Sequence, residues 1–193
     1  GVHAKNQSAH FDYENSIFDK YKFISSLNYF LNKKNISIKK IVKKNIKFHA
    51  RFSAKEREYE YVILNRNALP VLDKNKVWHL RSKLDLNLLK KASKKLVGTH
   101  NFNAFRSSNC QAGSPVRTLK KIKITKKNEK ILFVLNSQSF LKNQVRSIIG
   151  CLKYVGENKW KVKDLEKVLK SKNRKFCAPP APAQGLYLSK VIY

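Results

Sequence analysis

The sequence predicts an α+β fold built on an antiparallel sheet. Two runs rich in aromatic and β-branched residues, Glu58–Leu64 and Ile131–Leu135, read as strands. Apolar residues at three- and four-residue spacing mark helices between strand runs, and a turn at Asn128 joins two neighbouring strands as a hairpin. Hydrophobic residues make up 42% of the 193, with eleven Phe, eight Tyr and two Trp, which is enough apolar surface for a core.

Each element follows from its pattern. Gln7–Tyr13 reads as a short strand with His10 and Asp12 on one side. Tyr21, Phe23, Ile24, Leu27, Phe30 and Leu31 share a face of a helix over about residues 20–32. Ile36, Ile38, Ile41, Val42 and Ile46 are interspersed with lysines, which predicts one or two strands with a cationic outer face over Asn35–Lys47. Leu72–Lys83 is irregular and polar and reads as a hinge, dividing the chain into residues 1–79, a first lobe with central strands, and 80–193, a second lobe. Asp85 can cap a helix to about Leu96, in which Leu88, Leu89, Ala92 and Leu96 share a face and Gly98 supplies the stop. Thr99–Arg117 reads as a long loop anchored by Phe102 and Phe105, followed by the hairpin of Ile122 and Ile124 with Ile131–Leu135. From Phe140 to Val155 the period is helical again, with Leu141, Val145, Ile148, Ile149 and Leu152 in one stripe and Arg146 at its edge. A long cation there can reach over the rim into a cleft or snorkel to water. Leu165, Val168 and Leu169 mark a last short helix capped by Asp164, and Gly185–Tyr193 reads as a late strand that closes the sheet.

Forty-two Lys and Arg against twelve Asp and Glu give a net charge of +30, which asks for a polyanionic partner. Basic residues interleaved with aromatics bind phosphates by charge and unstacked bases by their faces, and so point to nucleic acid. Any single lysine can equally belong to a solvated face. The chain has no Gly-rich phosphate loop, no His-Glu-x-x-His and no Gly-x-Ser-x-Gly, so metal and nucleotide cofactors are not expected. Cys110, Cys151 and Cys177 are widely spaced and indicate neither a disulfide framework nor a zinc site, which fits a cytoplasmic protein. No apolar run approaches the roughly 18 residues of a membrane-spanning helix. On a strand, Arg57, Tyr59 and Tyr61 fall on one face and Glu58 and Glu60 on the other; by composition alone the tyrosines suit a packed core face.

Several segments, in order, carry a more specific resemblance. They are Gly1-Val2-His3-Ala4 with Gln7 and His10-Phe11; Phe48-His49-Ala50-Arg51-Phe52-Ser53-Ala54; and Arg57-x-Tyr59-x-Tyr61. Gly98-x-His100-x-Phe102 with Phe105-Arg106-Ser107, Cys110 and Pro115-x-Arg117 follow, then Phe140-Leu141-x-x-Gln144-Val145-Arg146-x-x-Ile149-Gly150 and Gly185-Leu186-Tyr187-Leu188. Together these resemble the tRNA pseudouridine synthase A family across nearly the whole chain.

The resemblance implies a pseudouridine synthase fold: a mixed, mainly antiparallel sheet with helices packed on one side and two ferredoxin-like lobes, the first incomplete here. It implies isomerisation of uridine to pseudouridine in the anticodon stem-loop of tRNA, without metal or other cofactor, by a homodimer in which one tRNA touches both subunits. Tyr59 matches the tyrosine that lies against the target uracil, Arg146 the arginine that pairs with the catalytic Asp, and Leu186 an apolar wall for the base. Arg51, Arg57, Arg106, Arg117 and Lys142 are the phosphate-contact candidates. His3 and His49 fall in matched motifs and read as structural, and Cys110 as packing. The family's Asp stands in a Gly-Arg-Thr-Asp-Ala segment immediately before Gly-Val-His-Ala, and none of the Asp residues at 12, 19, 73, 85 and 164 has a matching context. The expectation is therefore a fragment of the enzyme that binds tRNA weakly and turns over nothing. Lys142, Asn143 and the run Pro179-Pro180-Ala181-Pro182 depart from the family pattern and bear on loop detail and tRNA choice. The rival reading is a non-catalytic basic RNA-binding module or a degenerate remnant, which the charge alone fits equally well.

Overall fold

The strand predicted at Glu58–Leu64 is the spine of a seven-stranded, mostly antiparallel sheet in the computed structural model, which describes residues 1–13 and 19–193. In chain order the strands are β1 (His3–Ala4), β2 (Glu56–Asn65), β3 (Trp78–Leu80), β4 (Gly98–Asn101), β5 (Val116–Lys127), β6 (Lys130–Ser137) and β7 (Leu186–Ile192). Their spatial order is β1-β7-β2-β6-β5-β4, with β3 parallel to the end of β2. The helices are α1 (Lys20–Leu31), α2 (Leu86–Lys94), α3 (Gln144–Gly156) and α4 (Val162–Ser171). Two compact units result: Gly1–Ser8 with Ala54–Tyr193, which holds the whole sheet, and Ala9–Ser53.

Strand alternation sends Tyr59, Tyr61 and Ile63 of β2, Ile131, Phe133 and Leu135 of β6, and Ile122 and Ile124 of β5 to one face of the sheet. Tyr61, Ile63, Phe133 and Leu135 are fully buried there, in one core with Leu89 and Ala92 of α2, Ile148, Ile149 and Leu152 of α3, and Leu165 of α4. A bulge at Lys120 restores the alternation, so that Leu119 on one side of it and Ile122 on the other both reach this core. Asp85 caps α2 as expected, its carboxylate accepting from the N–H groups of Asn87 and Leu88. The reversal at Asn128 is made by that residue in the left-handed region (φ 53°).

The opposite face carries the carboxylates of β2. Glu56 meets Lys120 and Asn136, Glu58 meets Asn136 and Ser189, and Glu60 meets Lys5. At the end of α3, Glu157 accepts from Ser82 and pairs with Lys153 and Lys159, each at 2.9 Å. Burial pushes the Glu157 carboxyl up, but the Ser82 hydroxyl and the two ammonium groups outweigh it and hold the group below its ordinary 4.5. A carboxyl lowered by folding stabilises the fold above its unfolded pKa and loses that contribution as pH falls through the folded value. Thermal melts should show Glu157→Gln below the parent at neutral pH and converging on it as pH drops beneath 4.5; a gap that persists in acid would assign the effect to shape.

Several predicted elements differ. Gln7–Tyr13 forms no strand: pairing with β7 covers only His3 and Ala4, continues through the Lys5 N–H to the Leu188 carbonyl, and gives way to the Asn6 side chain on the Ser189 carbonyl. Asn35–Lys47 is likewise irregular, since alternation without a neighbouring strand leaves ladder groups unpaired. Thr99–Arg117 is less open than expected, because its ends pair as β4 and β5 around fully buried Phe102 and Phe105. The residues from Phe140 to Asn143 lie outside α3, which Asn143 opens in the left-handed region. Asp164 is the third residue of α4 and accepts the Lys161 N–H at 2.9 Å instead of capping directly. The late strand expected over Gly185–Tyr193 is present as β7, between β1 and β2. Trp78–Leu80, in the segment read as a hinge, is a strand of the sheet.

Within Ala9–Ser53, Asp19 caps α1, and the Asn28 side chain both donates to and accepts from the Ile38 backbone. Tyr21, Tyr29 and Phe30 of α1 are exposed. No helix among the described residues is long and apolar enough to cross a membrane.

Candidate active site

Arg146 sits in the first turn of α3, where the Gln144 side chain accepts the Leu141 N–H at 2.8 Å and fixes the entry to the helix. Its Nε donates to the Ala181 carbonyl at 2.6 Å and its Nη1 to Asn143 Oδ1 at 3.3 Å, while its own carbonyl accepts the Ala181 N–H at 2.9 Å. Arg146 therefore grips the chain just ahead of β7 through both side chain and backbone. Among the described residues no carboxylate pairs with it.

Three other features converge on that segment. Gly1 lies at its edge, where a side-chain carbon built on it would come within 3.5 Å of the Ala183 Cβ. Leu186, buried at the start of β7, pairs across the sheet with Tyr61. The Tyr61 hydroxyl donates to the Pro182 carbonyl at 2.7 Å, and the ring leaves room only for a glycine at position 185. Burial pushes the Tyr61 phenol up, and the Arg146 charge works against that rise.

Tyr59, one pleat along the same face, is half-buried and meets Phe140 edge-to-face at 5.1 Å. Burial raises its phenol too, opposed by the charge of Arg57, which donates to the Gln138 carbonyl. The short connection from β6 to α3 thus touches Arg57 through Gln138, Tyr59 through Phe140, and Arg146 through Asn143.

The same connection joins the basic loop. The Lys142 carbonyl accepts the Ser107 N–H at 2.9 Å, and the Lys142 side chain is exposed. Arg106 donates to Ala112, and Arg117 to Ser114 and Val116. Burial tends to raise the Cys110 thiol between them, but backbone bonds at Ala112 and Lys142 and the charges of Arg106 and Arg117 bring it below the ordinary range. Cys110 is accordingly a polar neighbour of cations in addition to a packing residue. Arg51 belongs to the other unit, where its guanidinium lies over the Phe52 ring and its N–H donates to His49 Nδ1. His3 bonds the Asn75 carbonyl through Nε2 and stacks on Tyr187, a structural arrangement.

Two surface hollows lie elsewhere, one lined by Lys95, His100, Glu166 and Lys170, the other by Arg66, Asp73 and Lys130. Neither contains Tyr59, Arg146 or Leu186, and both are open and edged by solvated lysines.

Comparison with known proteins assigns the family. Residues 92–193 match the family model described as tRNA pseudouridine synthase. All 193 residues align with tRNA pseudouridine synthase A of Pelagibacter ubique (strain HTCC1062) at 53% identity and with that of Caulobacter vibrioides (strain NA1000 / CB15N) at 41%, covering 78% of each relative. The chain belongs to the tRNA pseudouridine synthase family. This is a family of isomerases, and the α+β sheet with its helical layer fits the pseudouridine synthase fold.

Tyr61 is the residue whose importance the sequence concealed. Alternation put it beside Tyr59, but only the fold directs its hydroxyl to Pro182. Tyr61→Phe should destabilise the family member by about 1–3 kcal/mol, because the carbonyl loses its donor, measured by urea unfolding; an unchanged midpoint would mean that water replaces the hydroxyl.

Proposed function

We propose that the intact protein isomerises uridine to pseudouridine in the anticodon stem-loop of tRNA, using the surface formed by Tyr59, Arg146 and Leu186. The observation that carries this reading is the meeting of Arg146, Gly1 and Tyr61 on residues 181–186, the segment that ends in Leu186. In the reaction the N1–C1′ bond breaks, a C5–C1′ bond forms, the C5 proton leaves and N1 gains one. A uracil drawn out of its stack needs a flat aromatic and an apolar wall, the roles of Tyr59 and Leu186. The Arg146 guanidinium holds an Asp carboxylate ionised beside the base.

The family resemblance assigns that carboxylate to an Asp in a Gly-Arg-Thr-Asp-Ala segment, and none of the Asp residues of this sequence stands in such a segment. Within the unit that contains the sheet every carboxylate is otherwise engaged: Glu56, Glu58 and Glu60 on the far face, Asp73 with Lys130, Glu129 with Arg66, Glu157 with Lys153, Glu166 with Lys95, and Asp85 and Asp164 at helix starts. Arg57, Arg106, Arg117 and Lys142 meet the phosphates flanking the target, and Arg51, in the other compact unit, is a separate phosphate-contact candidate. The protein acts in the cytoplasm as a homodimer, as its resemblance to the family suggests.

The full-length protein should release tritium from tRNA labelled at uracil C5, and residues 1–193 alone should bind tRNA in a salt-sensitive manner without release. Release by residues 1–193 would overturn the placement of the nucleophile. Absence of release from the full-length protein with binding intact would favour a non-catalytic RNA-binding module. Mapping pseudouridine in the product tests the anticodon-arm assignment.

A further inference from the structure

The cysteine spacing signals no pairing, yet the fold brings two of the three together. Cys151 on α3 and Cys177 after the 3₁₀ turn Arg174–Phe176 place their sulfurs 3.4 Å apart. A second contact one turn along the same helix holds this approach: Arg174 Nη1 donates to Ser147 Oγ at 2.9 Å and also reaches the Ala104 carbonyl. The pairs Ser147–Arg174 and Cys151–Cys177 thus dock the turn on α3 at two points. Cys151 is fully buried and Cys177 is half-buried, so a small oxidant meets Cys177 first. Both sulfurs are thiols in this structure.

We propose that Cys151 and Cys177 form a redox modification site, a dithiol that hydrogen peroxide converts to an intramolecular disulfide. The Cys177 thiolate attacks one peroxide oxygen; the O–O bond breaks, and with one proton the products are a Cys177 sulfenic acid and water. The Cys151 sulfur then attacks the sulfenic sulfur, its proton leaves with the hydroxyl as a second water, and the S–S bond forms. One peroxide is reduced by two electrons and the two thiols are oxidised by two. The hydrogen bond from Cys151, with the Arg174 charge, favours the thiolate at Cys177, whereas Cys151 is held as the thiol by that bond and by burial. The sulfurs need to close only to the roughly 2 Å of a disulfide bond. The bond would tie α3 to the chain four residues ahead of Ala181, the partner of Arg146.

The test treats the folded full-length protein with hydrogen peroxide and follows its intact mass and non-reducing peptide map. The expected result is loss of two hydrogens and one cross-linked peptide joining Cys151 to Cys177, reversed by a dithiol reductant and absent in Cys177→Ser. Cys110→Ser leaves the result unchanged. Oxygen addition at Cys177 without the cross-link, a cross-link that involves Cys110, or no change in mass would each overturn the proposal. Cys177→Ser, at a half-buried position, is the primary variant; circular dichroism confirms its fold before the comparison.

Discussion

Arg146→Ala in the full-length enzyme is expected to lower kcat about 100- to 1000-fold, the range for removing one preorganised charge-stabilising group from a site. The tRNA KM should change far less, because the proposed phosphate contacts are other residues. Arg146 is placed for such a role by bonds that leave little freedom: Nε on Ala181, Nη1 on Asn143 and its backbone carbonyl on the Ala181 N–H. Arg146→Lys keeps the charge and loses the fork, so it should fall between parent and Ala variant. Single-turnover rates and filter-binding affinities measured on the same preparations separate the two effects. Equal losses in affinity and rate would instead make Arg146 a phosphate contact.

Gly150→Ala is expected to cost about 1–3 kcal/mol of stability by overpacking, lowering Tm by about 2–12 °C in a chain of this size. A Cβ on Gly150 would fall 2.1 Å from the Pro179 carbonyl oxygen, and the neighbouring Ala181 N–H is 3.5 Å away. The obstacle is backbone, so no side-chain rotation relieves it. The segment must move off α3, and the Ala181 grip on Arg146 opens with it. The variant should therefore lose turnover beyond its loss of folded protein, measured by activity per folded molecule at a temperature well below its Tm. Unchanged melting and activity would show that Pro179 shifts freely and that the Arg146–Ala181 pairing tolerates the shift.

Local pattern was most informative where an element makes its own case. The β2 run, the hairpin about Asn128, the cap at Asp85 and the helical stripe behind Arg146 were all visible as spacing, because alternation and helical period are properties of consecutive residues. The same logic misled over Asn35–Lys47 and Gln7–Tyr13, where the pattern suits a strand but the described residues supply no ladder partner along those lengths. The order of the sheet was equally hidden. Nothing in Leu186–Ile192 says that it lies between β1 and β2, a position set by parallel pairing with His3–Ala4 on one side and antiparallel pairing with β2 on the other.

For the site, the sequence determined the chemistry: cations in excess, two tyrosines on one strand face, an arginine at the border of a helical stripe, and the ordered motifs of a tRNA-modifying family. Tertiary structure decided which of these groups meet. It assigned Tyr61 to Pro182, Arg146 to Ala181, Lys120 to Glu56 and Lys5 to Glu60. It also put Cys151 against Cys177. The physical reason is that residue type and period are encoded locally, whereas a hydrogen bond between residues far apart in the chain exists only once the sheet order and the helix docking have fixed the distance between them.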